Sequence, residues 1–328
     1  MSTILDVHEL RTYFPLPARL PFGRAQQLRA VDDVTFTLER GETLSIVGES
    51  GCGKSTLGRT ILRLDRATSG SVWLDGHRIT EMPAPQLRKL RRRMGVVFQN
   101  PAASLSPRMR VREIIAEPML NHGLVSGRKA IDAEVGRLLE SVGLSAAMMD
   151  RFPFEFSGGQ QQRIAIARAL APRPDLIVCD EAVSSLDVSS KAQIVNLLAR
   201  LQRELDLAII FISHDLAIVE HLTDRVAVMY LGAFVEVADR AALFTRPSHP
   251  YTQALLSAVP PPDVDRRRDR IVLTGDVPSP LAPPSGCRFH TRCPYVLDRC
   301  RIEAPELRER GPGQLSACHL DALPAREH

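Results

Sequence analysis

No apolar run in the 328 residues approaches the ~20 needed to span a bilayer, and the start, Met1-Ser2-Thr3-Ile4-Leu5-Asp6, lacks the charged-then-apolar pattern of a secretory signal. A soluble, cytoplasmic chain is therefore expected, and any transport role would need other polypeptides to supply the pore. Any excess of one sign of charge is also small. A net charge of +4 gives no case for nucleic acid as a partner. The basic stretch Arg88-Lys89-Leu90-Arg91-Arg92-Arg93 reads as a solvated helix face rather than a phosphate-facing patch, and Arg266-Arg267-Arg268 reads the same way. The C-x2-C pairs usual in structural zinc sites are missing as well. What is present, 44% hydrophobic and 24% charged residues, suffices for a sizeable core in one large or two modest domains.

Directly after the apolar run Thr43-Leu44-Ser45-Ile46-Val47 comes Gly48-Glu49-Ser50-Gly51-Cys52-Gly53-Lys54-Ser55-Thr56, a full G-x-x-x-x-G-K-[ST] phosphate loop. Helical spacing follows at Leu57, Ile61, Leu62 and Leu64, so the motif has the strand before it and the helix after it that its chemistry requires. Glycines there let backbone N–H groups converge on phosphates at a helix N-terminus. Lys54 would reach the β- and γ-phosphates of ATP, and the Ser55 hydroxyl would ligate Mg²⁺.

A second half of such a site is Asp175-Leu176-Ile177-Val178-Cys179-Asp180-Glu181, an apolar strand that ends in two acids. Parallel α/β sheets carry their chemistry at the C-terminal ends of strands. Asp180 would enter the Mg²⁺ shell and Glu181 would polarise the attacking water as a base. Two acids capping the next helix would be commoner in isolation, but a phosphate loop upstream makes the catalytic reading the stronger one.

Between these halves lies Phe156-Ser157-Gly158-Gly159-Gln160, followed by Gln161-Gln162-Arg163, which completes neither half and so points to work on a second molecule. Ser-Gly-Gly at the start of an amphipathic helix (Ile164, Ile166, Ala167, Leu170) offers N–H groups and a positive dipole end to an anion. The remaining polar markers also sit at strand ends. Gln99 follows Met94-Gly95-Val96-Val97-Phe98, Ser185-Leu186-Asp187 follows the two acids, and His214 follows Ala208-Ile209-Ile210-Phe211-Ile212-Ser213.

Six elements in this order resemble the ATP-binding-cassette ATPases. That resemblance implies an α/β, P-loop NTPase fold with a RecA-like core, a helical subdomain carrying the signature, and two cassettes closing head to tail over two ATP molecules. It further implies that Ser157 and Gly159 contact the γ-phosphate held by the other subunit's Lys54, with Gly158 and Gln160 beside them among the nucleotide-binding residues. Gln99 would sense Mg²⁺ and water, His214 would contact the γ-phosphate, and Asp187 would link the two sites. Tyr13, in Leu10-Arg11-Thr12-Tyr13-Phe14, is the candidate for stacking on adenine, with Phe14 beside it as the rival.

Short strands are expected through residue 99, including Val34–Leu38 and Ser71–Leu74, with Phe14 to Arg29 as a loop containing Pro21-Phe22-Gly23. Helical spacing dominates from about 101 to 170, and strand–helix alternation returns up to about 245. Residues 1–256 are expected to form the nucleotide-binding domain. Residues 257–328, with Pro260-Pro261-Pro262 and Pro278, Pro280, Pro283 and Pro284, are expected to be a small Pro/Cys-rich C-terminal appendage.

Three segments narrow the resemblance to the ATPase subunits of dipeptide and oligopeptide importers: Phe98–Met109, Ser248–Leu256 and Gly286–Pro294. The resemblance implies a second, homologous but different ATPase subunit, two membrane permease subunits and an extracytoplasmic solute-binding protein as partners, with this chain peripheral on the cytoplasmic face of the membrane. Gln after the signature glycines resembles one partner of the pair, and Ser185 departs from the Ala usual there. The resemblance also bears on the cysteines. Cys52 and Cys179 read as small packing residues, whereas Cys287, Cys293, Cys300 and Cys318 crowd into the C-terminal region as C-x5-C-x6-C-x17-C. Four thiols in a reducing compartment suggest metal, and the importer resemblance implies a [4Fe–4S] cluster, with zinc or a metal-free site as alternatives and His290 and His319 as possible substitute ligands. The expected function is ATP hydrolysis that powers import of peptides or related small solutes. A nucleic-acid-maintenance ATPase is the rival from another class, set back by the spacing of about 110 residues between phosphate loop and signature, which leaves no room for a coiled coil or an inserted finger domain. A metal-linked sensor on the same scaffold is the third.

Overall fold

The computed structural model describes residues 2–16, 26–259 and 270–324. Pro21-Phe22-Gly23, Pro260-Pro261-Pro262 and Arg266-Arg267-Arg268 lie outside the described residues. The chain divides into two compact units, one of residues 1–5, 37–43 and 73–213, the other of residues 6–36, 44–72 and 214–328.

The first unit is built on three parallel strands, Met94–Val97, Leu176–Asp180 and Ala208–Ser213, with Leu176–Asp180 in the middle. Leu176 to Cys179 and Ala208 to Ile212 are all 1% exposed or less, so these strands are covered on both faces, as their unbroken apolar sequences require. Register pairs Val97 with Cys179 and Asp180 with Ile212, which leaves the polar residues at the C-terminal strand ends. The other end is fixed by charge. Arg93 and Arg40 each pair with both Asp75 and Asp175 at 2.5–3.2 Å, and the Asp175 N–H donates to the Arg93 carbonyl at 2.9 Å. Of the expected solvated basic face, Arg88, Arg91 and Arg92 are exposed, while Arg93 is drawn into this network. Helices Val111–Asn121, Arg128–Ser141, Gly158–Leu170 and Val188–Leu205 supply the rest, and their buried residues (Ile114, Ile115, Val135, Leu139, Ile164, Ile194, Leu198) recur at helical spacing.

In the second unit Leu44–Val47, from the strand Thr43–Val47, pairs in parallel with Arg225–Tyr230. That strand turns into Ala233–Asp239 through an antiparallel hairpin. Residues 6–16 of strand Thr3–Leu16 and 26–36 of strand Gln26–Glu39 belong to this unit, so the expected loop 14–29 is strand at both ends. The C-terminal region also departs from the picture of a separate appendage. Strand Gln314–Ser316 pairs antiparallel with Ala233–Asp239, and Arg308–Gly311 pairs with Gln314–Ser316, so these two C-terminal strands extend a sheet. Phe289, 1% exposed, packs among Tyr230, Tyr251 and His249 with ring centroids 5.3–5.7 Å away. The proline and cysteine content of the segment does not announce this, because Phe289 buries against residues far away in sequence. Among the described residues, no helix is long and apolar enough to cross a membrane.

Candidate nucleotide site

The phosphate loop leaves strand Thr43–Val47 at Gly48 and enters helix Lys54–Ile61 at Gly53. Both glycines are obligatory. Gly48 has φ 154° and Gly53 φ 109°, and a Cβ would lie 2.2 Å from the Met229 carbonyl oxygen at the first and 1.9 Å from that of Ala30 at the second. The loop is thus pressed against neighbouring backbone, and the Gly232 N–H donates to the Cys52 carbonyl at 2.9 Å. Lys54 is 4% exposed, and its Nζ donates to the carbonyls of Gly48 at 2.7 Å and Glu49 at 2.9 Å, so the ammonium sits inside the curl of the loop. Ser50, Gly51 and Ser55 are exposed, Thr56 is half-buried, and Cys52 is buried as expected of a packing residue. The donor set expected for Mg²⁺ fits in kind, since the Ser55 hydroxyl and the Asp180 carboxylate are hard oxygen ligands.

Glu49 carries contacts that its place in the motif does not announce. Its N–H donates to Tyr251 Oη at 2.8 Å, and its carboxylate accepts two bonds from Arg292 at 2.7 and 3.1 Å. The segments around Tyr251 and Arg292 stood out in the sequence only by family likeness; no local pattern says what they touch. In the same unit Tyr13 is half-buried. Its hydroxyl donates to Asp32, which also accepts from Arg288 at 2.7 Å. Burial together with the Asp32 carboxylate pushes the Tyr13 phenol up to about 12. The Arg29 guanidinium lies 5.8 Å from the Tyr13 ring centroid, and Phe14 is more exposed. His214 is exposed just past strand Ala208–Ser213, before Asp215, which caps the following helix at the N–H groups of Ala217 and Ile218.

In the first unit Gln99, Glu181 and the serines beyond form one cluster. Glu181 takes a left-handed backbone, φ 48°, uncommon for a residue other than glycine and a conformation that tends to persist where function needs it. Its N–H donates to the Ile212 carbonyl at 3.0 Å, and its own carbonyl accepts from Ser184 Oγ at 2.9 Å and Ser184 N–H at 3.0 Å. That turn aims the carboxylate at Gln99, whose Nε2 donates to Glu181 Oε2 at 2.9 Å. Ser185 Oγ donates to the Gln99 carbonyl at 3.3 Å, which gives the departure from Ala a contact of its own. Asp180 closes its strand half-buried, beside Cys179, whose thiol burial pushes up to about 12.

Ser157 caps helix Gly158–Leu170 by a reciprocal pair: its Oγ accepts from the Gln160 N–H at 3.4 Å while Gln160 Oε1 accepts from the Ser157 N–H at 3.0 Å. Gly158 and Gly159 lie within this first turn, close to the turn before helix Val188–Leu205. A Cβ on Gly159 would meet Ser190 Oγ at 3.1 Å, and one on Gly158 would meet Leu186 at 3.6 Å. Asp187 caps that second helix, accepting from Ser190 N–H at 3.0 Å and from the Ser189 and Ser190 hydroxyls at 2.7 Å. These bonds, the Ser190 backbone N–H foremost, hold its carboxyl well below the usual range. The signature and Asp187 therefore share one surface patch of the chain.

The cysteine expectation needs correction. All six cysteines are free thiols, and Cys287, Cys293 and Cys318 lie near enough to the other C-terminal thiols for those to bear on their ionisation. Burial chiefly pushes Cys287 up to about 11 and Cys293 up to about 12, and raises Cys318 too. Yet among the described residues no three His, Cys, Asp or Glu side chains converge into a group that could hold a metal ion. Moreover, His290 Nδ1 bonds the Cys287 carbonyl at 2.9 Å, while His319 is taken up by Arg299 and the Glu303 carbonyl. The residues do not fit the [4Fe–4S] cluster or its zinc alternative. The strand pairing and the Phe289 cluster described above account for the order of this region without one.

Comparison with known proteins agrees with the fold and the loop. The model of the family described as ABC transporter matches residues 31–184, and that of the oligopeptide/dipeptide transporter C-terminal region matches residues 235–300. "Probable peptide ABC transporter ATP-binding protein y4tS" of Sinorhizobium fredii is 52% identical over 327 residues, covering 100% of this chain and 92% of that one. The oligopeptide transport ATP-binding protein AppF of Bacillus subtilis is 49% identical over 97% of this chain and 98% of its own. Among solved structures, the dimeric ATP-binding cassette MJ0796 bound to ADP and Pi superposes with a TM-score of 0.64 at 28% identity, over 72% of this chain and 99% of that chain. Clostridium perfringens cbiO1, part of an ABC transporter complex, gives 0.64 at 28% over 74% and 91%. With an α/β P-loop NTPase fold, a complete phosphate loop and about half of its residues shared with such proteins end to end, the chain belongs to the ABC transporter family of ATP-binding subunits.

Proposed function

We propose that this chain is the ATPase subunit of an importer for dipeptides, oligopeptides or related small solutes, working at the cytoplasmic face of a membrane whose pore other subunits supply. The observation that carries the ATPase reading is the phosphate loop, whose two obligatory glycines let the backbone curl round a buried Lys54 ammonium at a helix N-terminus. The peptide reading is supported by the C-terminal family match and by relatives that are themselves called peptide or oligopeptide transport proteins.

The reaction is phosphoryl transfer from ATP to water, in which positioning and charge stabilisation supply most of the rate. Gly48 to Thr56 hold the phosphates, Lys54 pairs with β- and γ-oxygens, and Tyr13 stacks on the base. Ser55, Gln99 and Asp180 would hold Mg²⁺, which when bound would supply positive charge to offset that developing on the phosphates. Glu181 takes the proton of the attacking water. Its hydrogen bond from Gln99 supports a role for Gln99 in aligning that water. His214 contacts the γ-phosphate. Ser157 to Gln160 and Asp187 act on nucleotide held by a second, homologous ATPase subunit, a reading supported by the exposure of Ser157, Gly158 and Asp187 and by their shared patch. Two permease subunits and an extracytoplasmic binding protein complete the importer.

The test is reconstitution with the co-encoded permease, companion ATPase and binding protein, following phosphate release. Peptide-loaded binding protein should stimulate hydrolysis above the level of the isolated chain. Full-rate hydrolysis by the diluted monomer would overturn the two-subunit site, and stimulation by another solute class alone would overturn peptide import.

A further inference from the structure

The residue that follows the first glycine of the phosphate loop is held at three points. The Glu49 carbonyl accepts from Lys54 Nζ at 2.9 Å, its N–H donates to Tyr251 Oη at 2.8 Å, and its carboxylate takes both terminal N–H groups of Arg292 at 2.7 and 3.1 Å. Lys54 itself belongs to the binding machinery; the other two partners lie 202 and 243 residues away in sequence. They are well anchored. Tyr251 is 0% exposed and Arg292 8%, and the Tyr251 ring packs 4.8 Å from Tyr230 and 5.4 Å from Phe289, three residues before Arg292. The Arg292 N–H closes a turn onto the Phe289 carbonyl at 3.0 Å. Four residues before Arg292, Arg288 reaches Asp32, the acceptor of the Tyr13 hydroxyl. One short strap thus touches the loop that would hold phosphate and the carboxylate that orients the aromatic expected to hold the base.

We propose that Arg292 and Tyr251 are positioning residues of the phosphate loop, fixing Glu49 so that its carbonyl and that of Gly48 hold the Lys54 ammonium where the β- and γ-phosphates of ATP will lie. The inference rests on the ATPase reading above. A planar fork bonded at two points sets orientation as well as distance, which a lysine at the same place cannot do. Loss of the fork frees the Glu49 peptide to rotate, and Lys54 loses one of its two carbonyl supports. Transition-state charge stabilisation depends on such preorganisation, so the effect falls on nucleotide affinity and turnover more than on the fold.

The experiment titrates the full chain with a fluorescent ATP analogue and Mg²⁺, and measures KM and kcat in the reconstituted complex, for Arg292→Lys, Arg292→Met, Tyr251→Phe and Glu49→Gln, with thermal melts of each. Arg292→Lys and Tyr251→Phe should keep a cooperative melt yet weaken nucleotide binding about 3- to 10-fold, and Arg292→Met should weaken it at least ~10-fold, as for loss of a charge-assisted bidentate pair. Because Glu49 and Arg292 act as one unit, the double variant Glu49→Gln/Arg292→Met should be no worse than either single change. Should Arg292→Met not fold, Arg292→Lys and Tyr251→Phe decide the matter. Folded variants with wild-type affinity and KM, or additive losses in the double variant, overturn the positioning role. Wild-type protein that binds no nucleotide overturns the ATPase reading instead.

Discussion

The phosphate loop and the Ser157 signature are both glycine-bearing turns that start a helix, and they are held in opposite ways. Gly48 and Gly53 press against the backbones of Met229 and Ala30, and Glu49 is gripped from Tyr251 and Arg292. Ser157, by contrast, is held by Gln160, three residues on, in a capping box that needs no distant partner. The loop's shape is a property of the completed tertiary structure, whereas the signature's shape is written almost wholly in its own four residues. A loop that must grip triphosphate gains from rigid support, and a surface turn that must meet another subunit gains from being self-contained and exposed.

The largest effect that can test this division is chemical. Glu181→Gln keeps the side-chain shape and the bond from Gln99 but removes the base, so turnover in the assembled complex should fall at least ~100-fold with nucleotide binding retained. Lys54→Ala should instead weaken nucleotide binding itself. Phosphate release and nucleotide titration on the two variants separate the outcomes, and near-wild-type hydrolysis by Glu181→Gln would remove it from the mechanism.

Next in size is a pair of glycine substitutions. Gly53→Ala forces a Cβ into a left-handed position 1.9 Å from the Ala30 oxygen, where backbone must move. The conformation alone costs about 1–3 kcal/mol, and the displaced loop should no longer bind ATP. Gly158→Ala meets only the flexible Leu186 side chain at 3.6 Å, so the thermal melt should hardly change. Equal losses from both would erase the contrast between a tertiary loop and a local one.

These contrasts track what could be read from sequence. The strands ending at Val47, Asp180 and Ser213, and the helices that begin at Lys54 and Gly158, were legible because apolar runs and helical spacing are local signals. The acids at a strand end followed from the rule for parallel sheets. The left-handed turn at Glu181 was not legible, since only tertiary packing holds a glutamate there. Arg292 and Tyr251 were invisible as loop supports because a contact across more than 200 residues leaves no periodic trace. The same blindness made residues 257–328 read as a small Pro/Cys-rich appendage whose thiols suggest metal. Four thiols close in sequence implied a shared ligand set, yet among the described residues Gln314–Ser316 joins a sheet and Phe289 enters an aromatic cluster.

A pH experiment probes the support side of the comparison at intermediate size. His249 caps helix Pro250–Ser257, its Nδ1 accepting from the Tyr251 N–H at 3.1 Å, and burial lowers its imidazole to about 3. A group whose folded pKa lies below its unfolded value of about 6.5 stabilises the fold above that value. The contribution should drain away between about pH 6.5 and about pH 3 as the unfolded chain takes up the proton that the folded one refuses. His249→Asn keeps an N-cap acceptor without the titration. Stability measured by denaturant should then fall less steeply across this window than in the wild type. If nucleotide affinity in the wild type declines across the same window while the His249→Asn curve stays flatter, the helix that carries Tyr251 is coupled to the loop through this cap.

The smallest effect belongs to the local turn. Ser157→Ala removes the Oγ that accepts from Gln160, and loss of such a cap costs about 1 kcal/mol, whereas Ser157→Asn, which can still cap, should recover most of it. Because the capping box is self-contained, neither change should alter the chain's own affinity for nucleotide, which is set by a loop supported from Tyr251 and Arg292. Hydrolysis by the assembled pair is another matter. If Ser157 acts on nucleotide held by the companion subunit, then Ser157→Asn restores the melt without restoring turnover, and the defect appears only when both ATPase subunits are present. A fall in nucleotide binding by the isolated Ser157→Ala chain would break the comparison, since the two turns would then share their support.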